Sequence, residues 1–126
     1  MTEIFIFGNP LVDQDSLPLR IIPKLTERFH GITFIELDPT EDMEKMGRNP
    51  IIIDTAFGIE KVKVLTDIDK IEDSPKFSMH DFDLGMNLKI MKKLGKIDSV
   101  TIICVPPTLS IGEAVDQVSD AIRSLF

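Results

Sequence analysis

Apolar and polar positions come in blocks along the chain, and the period of each block names the element it builds. Ile4 to Phe7 is an apolar run that stops at Gly8-Asn9-Pro10, the pattern of a buried strand running into a tight loop. Ser16-Leu17-Pro18 opens a helical spacing carried on by Leu19, Ile22, Leu25 and Phe29, with Ser16 placed to cap it and Pro18 in the first turn. Pro23 lies deeper in the same pattern and, lacking a backbone donor, predicts a kink there. Ile32 to Leu37 reads as a second strand, and Pro50 to Asp54 as a third that Asp54 closes. Both are rich in β-branched residues and too short for helices.

Between these strands Thr40 to Met46 predicts an acidic turn of helix closed by Gly47, and Thr55 to Gly58 predicts a loop. Val62 to Leu65 alternates with charged neighbours like an edge strand packed on one face. The link before it is too short for a parallel crossover, so it should run antiparallel to the third strand. The acid-rich segment Thr66 to Lys76 predicts a mobile surface loop. A helix should begin at Asp81, carry Leu84, Leu88, Met91 and Leu94 on one stripe and end at Gly95. Val100 to Val105 is a fifth strand stopped by Pro106-Pro107. The last helix carries Val115, Val118, Ile122 and Leu125, capped by Ser110 or Thr108. Strands alternating with helices predict an α/β fold, a three-layer α/β/α sandwich around a mostly parallel five-stranded sheet with one antiparallel edge strand. It should form a single domain over residues 1–126.

Composition narrows the function. The 126 residues are 43% apolar and 28% charged, with 14 Lys and Arg against 21 Asp and Glu for a net charge of −7. A chain of this length buries roughly two thirds of its unfolded surface, so it needs neither disulfide nor structural metal to fold. The lone Cys104, inside the apolar run Ile102 to Val105, reads as a packed core thiol. No stretch approaches the ~18 apolar residues of a membrane span, and Met1-Thr2-Glu3 puts an acid where an export signal is basic. The expectation is a cytoplasmic protein without membrane insertion, and a monomer. Basic residues interleaved with acids, and the absence of Trp and Tyr, argue against nucleic acid as partner.

In such sheets sites form beyond the carboxyl ends of the strands. Asp13 and Asp15 follow the first strand, Asp38 follows the second, Asp54 ends the third, and His80 precedes the helix leading to the fifth. Carboxylates and an imidazole meeting there would make an oxygen and nitrogen site for a borderline divalent ion. Nickel or zinc suits the imidazole, and cadmium would substitute in vitro. Each residue also has a plainer use. Asp13 or Asp15 would favour the first helix dipole, with only one needed as a ligand; Asp54 would cap a turn; His80 would begin a helix; and His30 would complement the end of the first helix. An acidic pair followed by a third-strand Asp also resembles the phospho-acceptor site of receiver domains, but Val105-Pro106-Pro107 offers no lysine at the end of the fifth strand and that scheme leaves His80 unused.

A closer resemblance extends over most of the chain. The opening run from Gly8-Asn9-Pro10-Leu11 through Asp13 and Asp15 to Arg20, the third-strand acid in Ile51-Ile52-Ile53-Asp54-Thr55, Ser78-Met79-His80 with Leu84-Gly85, and Val105-Pro106-Pro107 with Leu109 and Gly112 together resemble the hydrogenase maturation proteases. These endopeptidases trim the C-terminus of the large subunit of nickel-iron hydrogenases. The resemblance implies Asp15, Asp54 and His80 as metal ligands that grasp the nickel already installed in the precursor, and Asp38 as the residue handling water or protons. It also names the large-subunit precursor as partner, and the chain's acidic balance suggests that the precursor docks through a basic face. The sequence departs from the family at Gln14 and Pro18. It departs again where Asp38-Pro39-Thr40 replaces an acid followed by two glycines, so that Pro39 stiffens a loop and removes a donor. A non-catalytic metal-binding protein or a receiver-like domain is the alternative.

Overall fold

A computed structural model describes residues 2–8, 11, 16–37, 43–66, 76–77 and 84–126. The elements in chain order are β1 (Thr2–Ile6), α1 (Leu17–Arg20), α2 (Ile22–Arg28), β2 (Ile32–Glu36), a 3-10 turn (Met43–Met46), β3 (Ile51–Phe57), β4 (Lys63–Leu65), β5 (Lys76–Phe77), α3 (Leu84–Lys93), β6 (Thr101–Val105) and α4 (Ile111–Leu125). The expected fifth strand is therefore β6, and β5 is an addition.

The sheet order is β2-β1-β3-β6-β4, with β5 on β3. β1 pairs in parallel with β2 from Thr2↔Ile32 to Ile6↔Glu36, and with β3 at Phe5↔Ile52 and Ile6↔Ile53. β3 pairs in parallel with β6 from Ile51↔Thr101 to Thr55↔Val105. β4 lies antiparallel on the far side of β6, Lys63 opposite Cys104, which gives the expected antiparallel edge. Successive residues of a strand point alternately to the two faces, so the largely apolar interior strands, which also bury Asp54 and Thr55, fill two separate cores. One holds Phe5, Phe7, Ile52, Ala56, Ile102 and Cys104 beneath Leu88 and Met91 of α3. The other holds Ile4, Ile6, Ile53, Ile103 and Val105 beneath α1, α2 and α4. Helices on both faces of the sheet make the three-layer α/β sandwich that the alternation predicts.

Local chemistry sets the helix limits. The expected kink becomes a break: α1 and α2 are separated at Ile21, and Pro23 stands in the first turn of α2. Ser16 occupies the cap position of α1 but its side chain gives the helix no capping bond; its carbonyl accepts from the amides of Leu19 and Arg20. α3 ends in a Schellman turn, with Gly95 N donating to Lys92 O at 3.1 Å and Lys96 N to Met91 O at 2.9 Å, and Gly95 at φ +74° as only glycine readily allows. α4 starts with a capping box in which Ser110 Oγ accepts from Glu113 N and Glu113 Oε1 from Ser110 N.

Three further expectations need correction. Asp54 does not close β3, which runs on to Phe57: β6 stays paired through Thr55 and β5 adds Ala56↔Phe77 and Phe57↔Lys76, so the predicted loop at Thr55 to Phe57 is strand. Leu94 is 67% exposed, because the chain turns at Gly95 and Ile97 enters the core instead. β4 packs on both faces, with Val62 and Val64 toward one core and Leu65 toward the other. Of the expected surface loop, residues 67–75 lie outside the described part. The start of the helix at Asp81 does too.

Candidate active site

Strand order reverses between β1 and β3, since the chain moves from β1 outward to β2 and then returns past β1 to β3. Open α/β sheets place their sites at such a reversal, beyond the carboxyl ends of the strands on either side of it. Asp54 stands on β3 at this point. It is 2% exposed, next in line after the Ile6↔Ile53 pair and opposite Cys104. Strand alternation turns it to the α3 face, in the layer formed by Phe7, Ile52, Ala56 and Cys104.

A carboxylate in such company is held rigidly by the strand that carries it. Its Oδ1 accepts from the following amide, Thr55 N, at 2.8 Å. The low-dielectric surroundings strengthen its attraction for any cation brought to it. Its charge is felt next door. Burial first, and the Asp54 carboxylate second, push the Cys104 thiol up to about 12, while Lys63 from β4 pulls the other way. Cys104 Sγ lies 3.9 Å from Ile102 O, which it faces as a weak donor. The thiol is thus a protonated core group, as expected, and no nucleophile. Asp54, Cys104 and Lys63 form a row across β3, β6 and β4 on one face of the sheet. Only register reveals Lys63's place in that row, because the pairing joins strands far apart in sequence.

The remaining expected site residues, Asp13, Asp15, Asp38 and His80, lie outside the described residues. Their chain neighbours converge on the edge where Asp54 stands. Ser16, directly after Asp15, is 4% exposed at the start of α1, which packs on β3. Leu37, directly before Asp38, donates its amide to Ile6 O at 3.0 Å as β2 leaves the sheet beside β1. Phe77, three residues before His80, pairs with Ala56, two residues beyond Asp54. Among the described residues no three His, Cys, Asp or Glu side chains come together as a metal set. His30 is exposed in the turn after α2, away from this edge. The end of β6 is Val105-Pro106, with Pro106 buried, so no lysine stands at the position where a phospho-acceptor site carries one.

No protein-family model matches the chain, and no curated protein matches it. Two solved structures share its fold. The NiFe hydrogenase maturation protease HybD from Thermococcus kodakarensis aligns with a TM-score of 0.58 and 14% identity, covering 99% of each chain. The solution structure of the endopeptidase HycI from Escherichia coli aligns with a TM-score of 0.57 and 19% identity, covering 98% of this chain and 90% of the other.

Proposed function

We propose that this chain is a hydrogenase maturation endopeptidase, which removes the C-terminal extension of the nickel-loaded large-subunit precursor of a nickel-iron hydrogenase. The observation that carries this reading is the buried Asp54 at the strand-order reversal of a fold shared, end to end, with two maturation proteases. The same residue is the third-strand acid through which the sequence resembles that family.

In this reading nickel is part of the substrate. Asp15, Asp54 and His80 hold the ion that the precursor brings, and the peptide bond near it is thereby fixed against the enzyme. Proximity then supplies much of the rate, since a bond held in place reacts without the entropy loss of encounter. Asp38 takes a proton from the attacking water, whose oxygen adds to the scissile carbonyl, and a proton is delivered to the departing amine so that the carboxylate and amine products balance. Zinc or cadmium would occupy the same three ligands in vitro. Dependence on the metal follows from this arrangement, as does a cytoplasmic site of action, where the precursor is assembled. No helix among the described residues is long and apolar enough to cross a membrane.

The test is to incubate the purified protein with a nickel-loaded large-subunit precursor from the same organism and weigh the products by intact mass spectrometry. Loss of a C-terminal fragment that requires both nickel and His80, read with nickel-free precursor and His80→Ala as controls, is the expected result. A complex that forms without any loss of mass would instead make the chain a non-catalytic binding protein.

A further inference from the structure

The chain carries 21 acids, yet residues 84–97 contain none and hold four of its 14 basic residues, Lys89, Lys92, Lys93 and Lys96. At 3.6 residues per turn, Leu88 and Met91 of α3 face the core. Lys89, Ile90, Lys93 and Leu94 fall side by side on the opposite face, with the exposed Lys92 at its flank. The inward pair is buried, while Ile90 is 48% and Leu94 67% exposed. Lysines at a helix C-terminus are favoured by its dipole, which accounts for their charge. It does not account for two large apolar side chains left in water beside them. An exposed apolar row bordered by charge is the make-up of a protein contact.

We infer that this outward face of α3 is a docking surface for an acidic, partly apolar patch of the large-subunit precursor, an inference that rests on the proposed function. Charge selects the occupant. The other ten basic and 21 acidic residues leave the rest of the molecule strongly negative. An extended polyanion such as DNA, or an anionic membrane, would meet that field as soon as it reached past the helix. A compact acidic patch meets only α3, and its apolar centre covers Ile90 and Leu94. The sequence-wide balance calls for a basic precursor face, and α3 is the local exception. Lys92 and Lys93 stand in the last turn of α3, which leads away from Asp54. α3 is about 15 Å long and its end leads to the opposite edge of the sheet, where Asp98 N donates to Arg48 O at 2.7 Å. Contacts there raise affinity without touching the cleaved bond.

The experiment measures binding and processing of the nickel-loaded precursor by the full chain, the double variant Lys92→Glu/Lys93→Glu, and Leu94→Ser. All three positions are exposed, and circular dichroism checks the folds. The expected result is a Kd raised about tenfold or more in the double variant, a weaker salt dependence than wild type, and an unchanged rate at saturating precursor. Leu94→Ser weakens binding with the salt dependence intact. Equal affinities for wild type and double variant would overturn the inference while leaving the protease reading in place if trimming proceeds. Trimming absent with α3-dependent binding retained would overturn the protease reading alone, and no binding by wild type would overturn both. Lysine-dependent binding of phosphatidylserine vesicles or of duplex DNA, or self-association lost in the variants, with precursor affinity unchanged, would reassign the face to that occupant.

Discussion

The chemistry of single residues here is governed by what surrounds them on the strand. Cys104, with its thiol pushed up to about 12, should resist iodoacetamide at pH 8 in the native protein and react once urea unfolds it, as mass spectrometry would read. The pH effect has a definite sign. The unfolded thiol releases its proton near the ordinary 9.0 while the folded one holds it, so stability falls as pH rises from 9.0 toward about 12. The slope is at most ~1.4 kcal/mol per unit. Thr55 offers a gain. Its hydroxyl is fully buried and, among the described residues, has no hydrogen-bond partner. Thr55→Val keeps the shape and removes the unsatisfied group, so urea titration should show ~1 kcal/mol of added stability. Under the proposed function Asp54→Asn has the opposite profile: circular dichroism unchanged, and precursor trimming reduced about 100-fold or more, since even the groups that only orient a metal's ligands are worth 10–100-fold. Asp54 was legible because a polar residue after three isoleucines stands out. Its partners across the sheet were not, because register couples it to Cys104, fifty positions away, and only through that pairing to Lys63, and its polarity was misleading as a strand end because neighbouring strands, not the residue itself, decide where pairing stops.

Elements follow local rules wherever those rules are strong. Ser110 and Gly95 each specified a boundary that the structure contains, and Pro23, expected to kink one helix, stands where the helix breaks in two. Ser110→Ala should lower the unfolding free energy by ~1 kcal/mol. Gly95→Ala forces a side chain into the left-handed region and should lower it by about 1–2 kcal/mol, although a Cβ there would meet nothing within 4 Å. Urea unfolding followed by circular dichroism separates both from wild type. Local rules fail for Leu94, which keeps the helical period but falls at the turn where the helix has ended. They fail for β5 as well, whose two residues carry no period and become strand only because β3 extends beyond β1 and β6 to meet them.

At the scale of the whole molecule, the three layers were readable from the alternation of helical and extended blocks, whereas the strand order was not. Which strand lies beside which is decided by contacts between distant segments, and among these are the loops that enter β3 and β6. Arg48 grips Asp98 through two bonds, Nη2 to Oδ1 at 2.8 Å and Nε to Oδ2 at 2.9 Å, and Ser99 Oγ donates to Asn49 Oδ1 at 2.9 Å. The Asp98 carboxyl is held below its ordinary 3.8, chiefly by the hydrogen bonds from Arg48. A depressed carboxyl adds stability above its unfolded value and loses it as pH falls through the folded one. The two side chains are more than half exposed, so the contribution is small and screened by salt. The midpoint of urea unfolding should therefore be lower in Asp98→Asn than in wild type at neutral pH and low salt. That difference should hold down to about pH 5, close as the carboxyl protonates, and shrink in 0.5 M salt at every pH. A difference that survives at pH 2 would assign the clamp to shape and backbone bonding between the two loops instead of to charge.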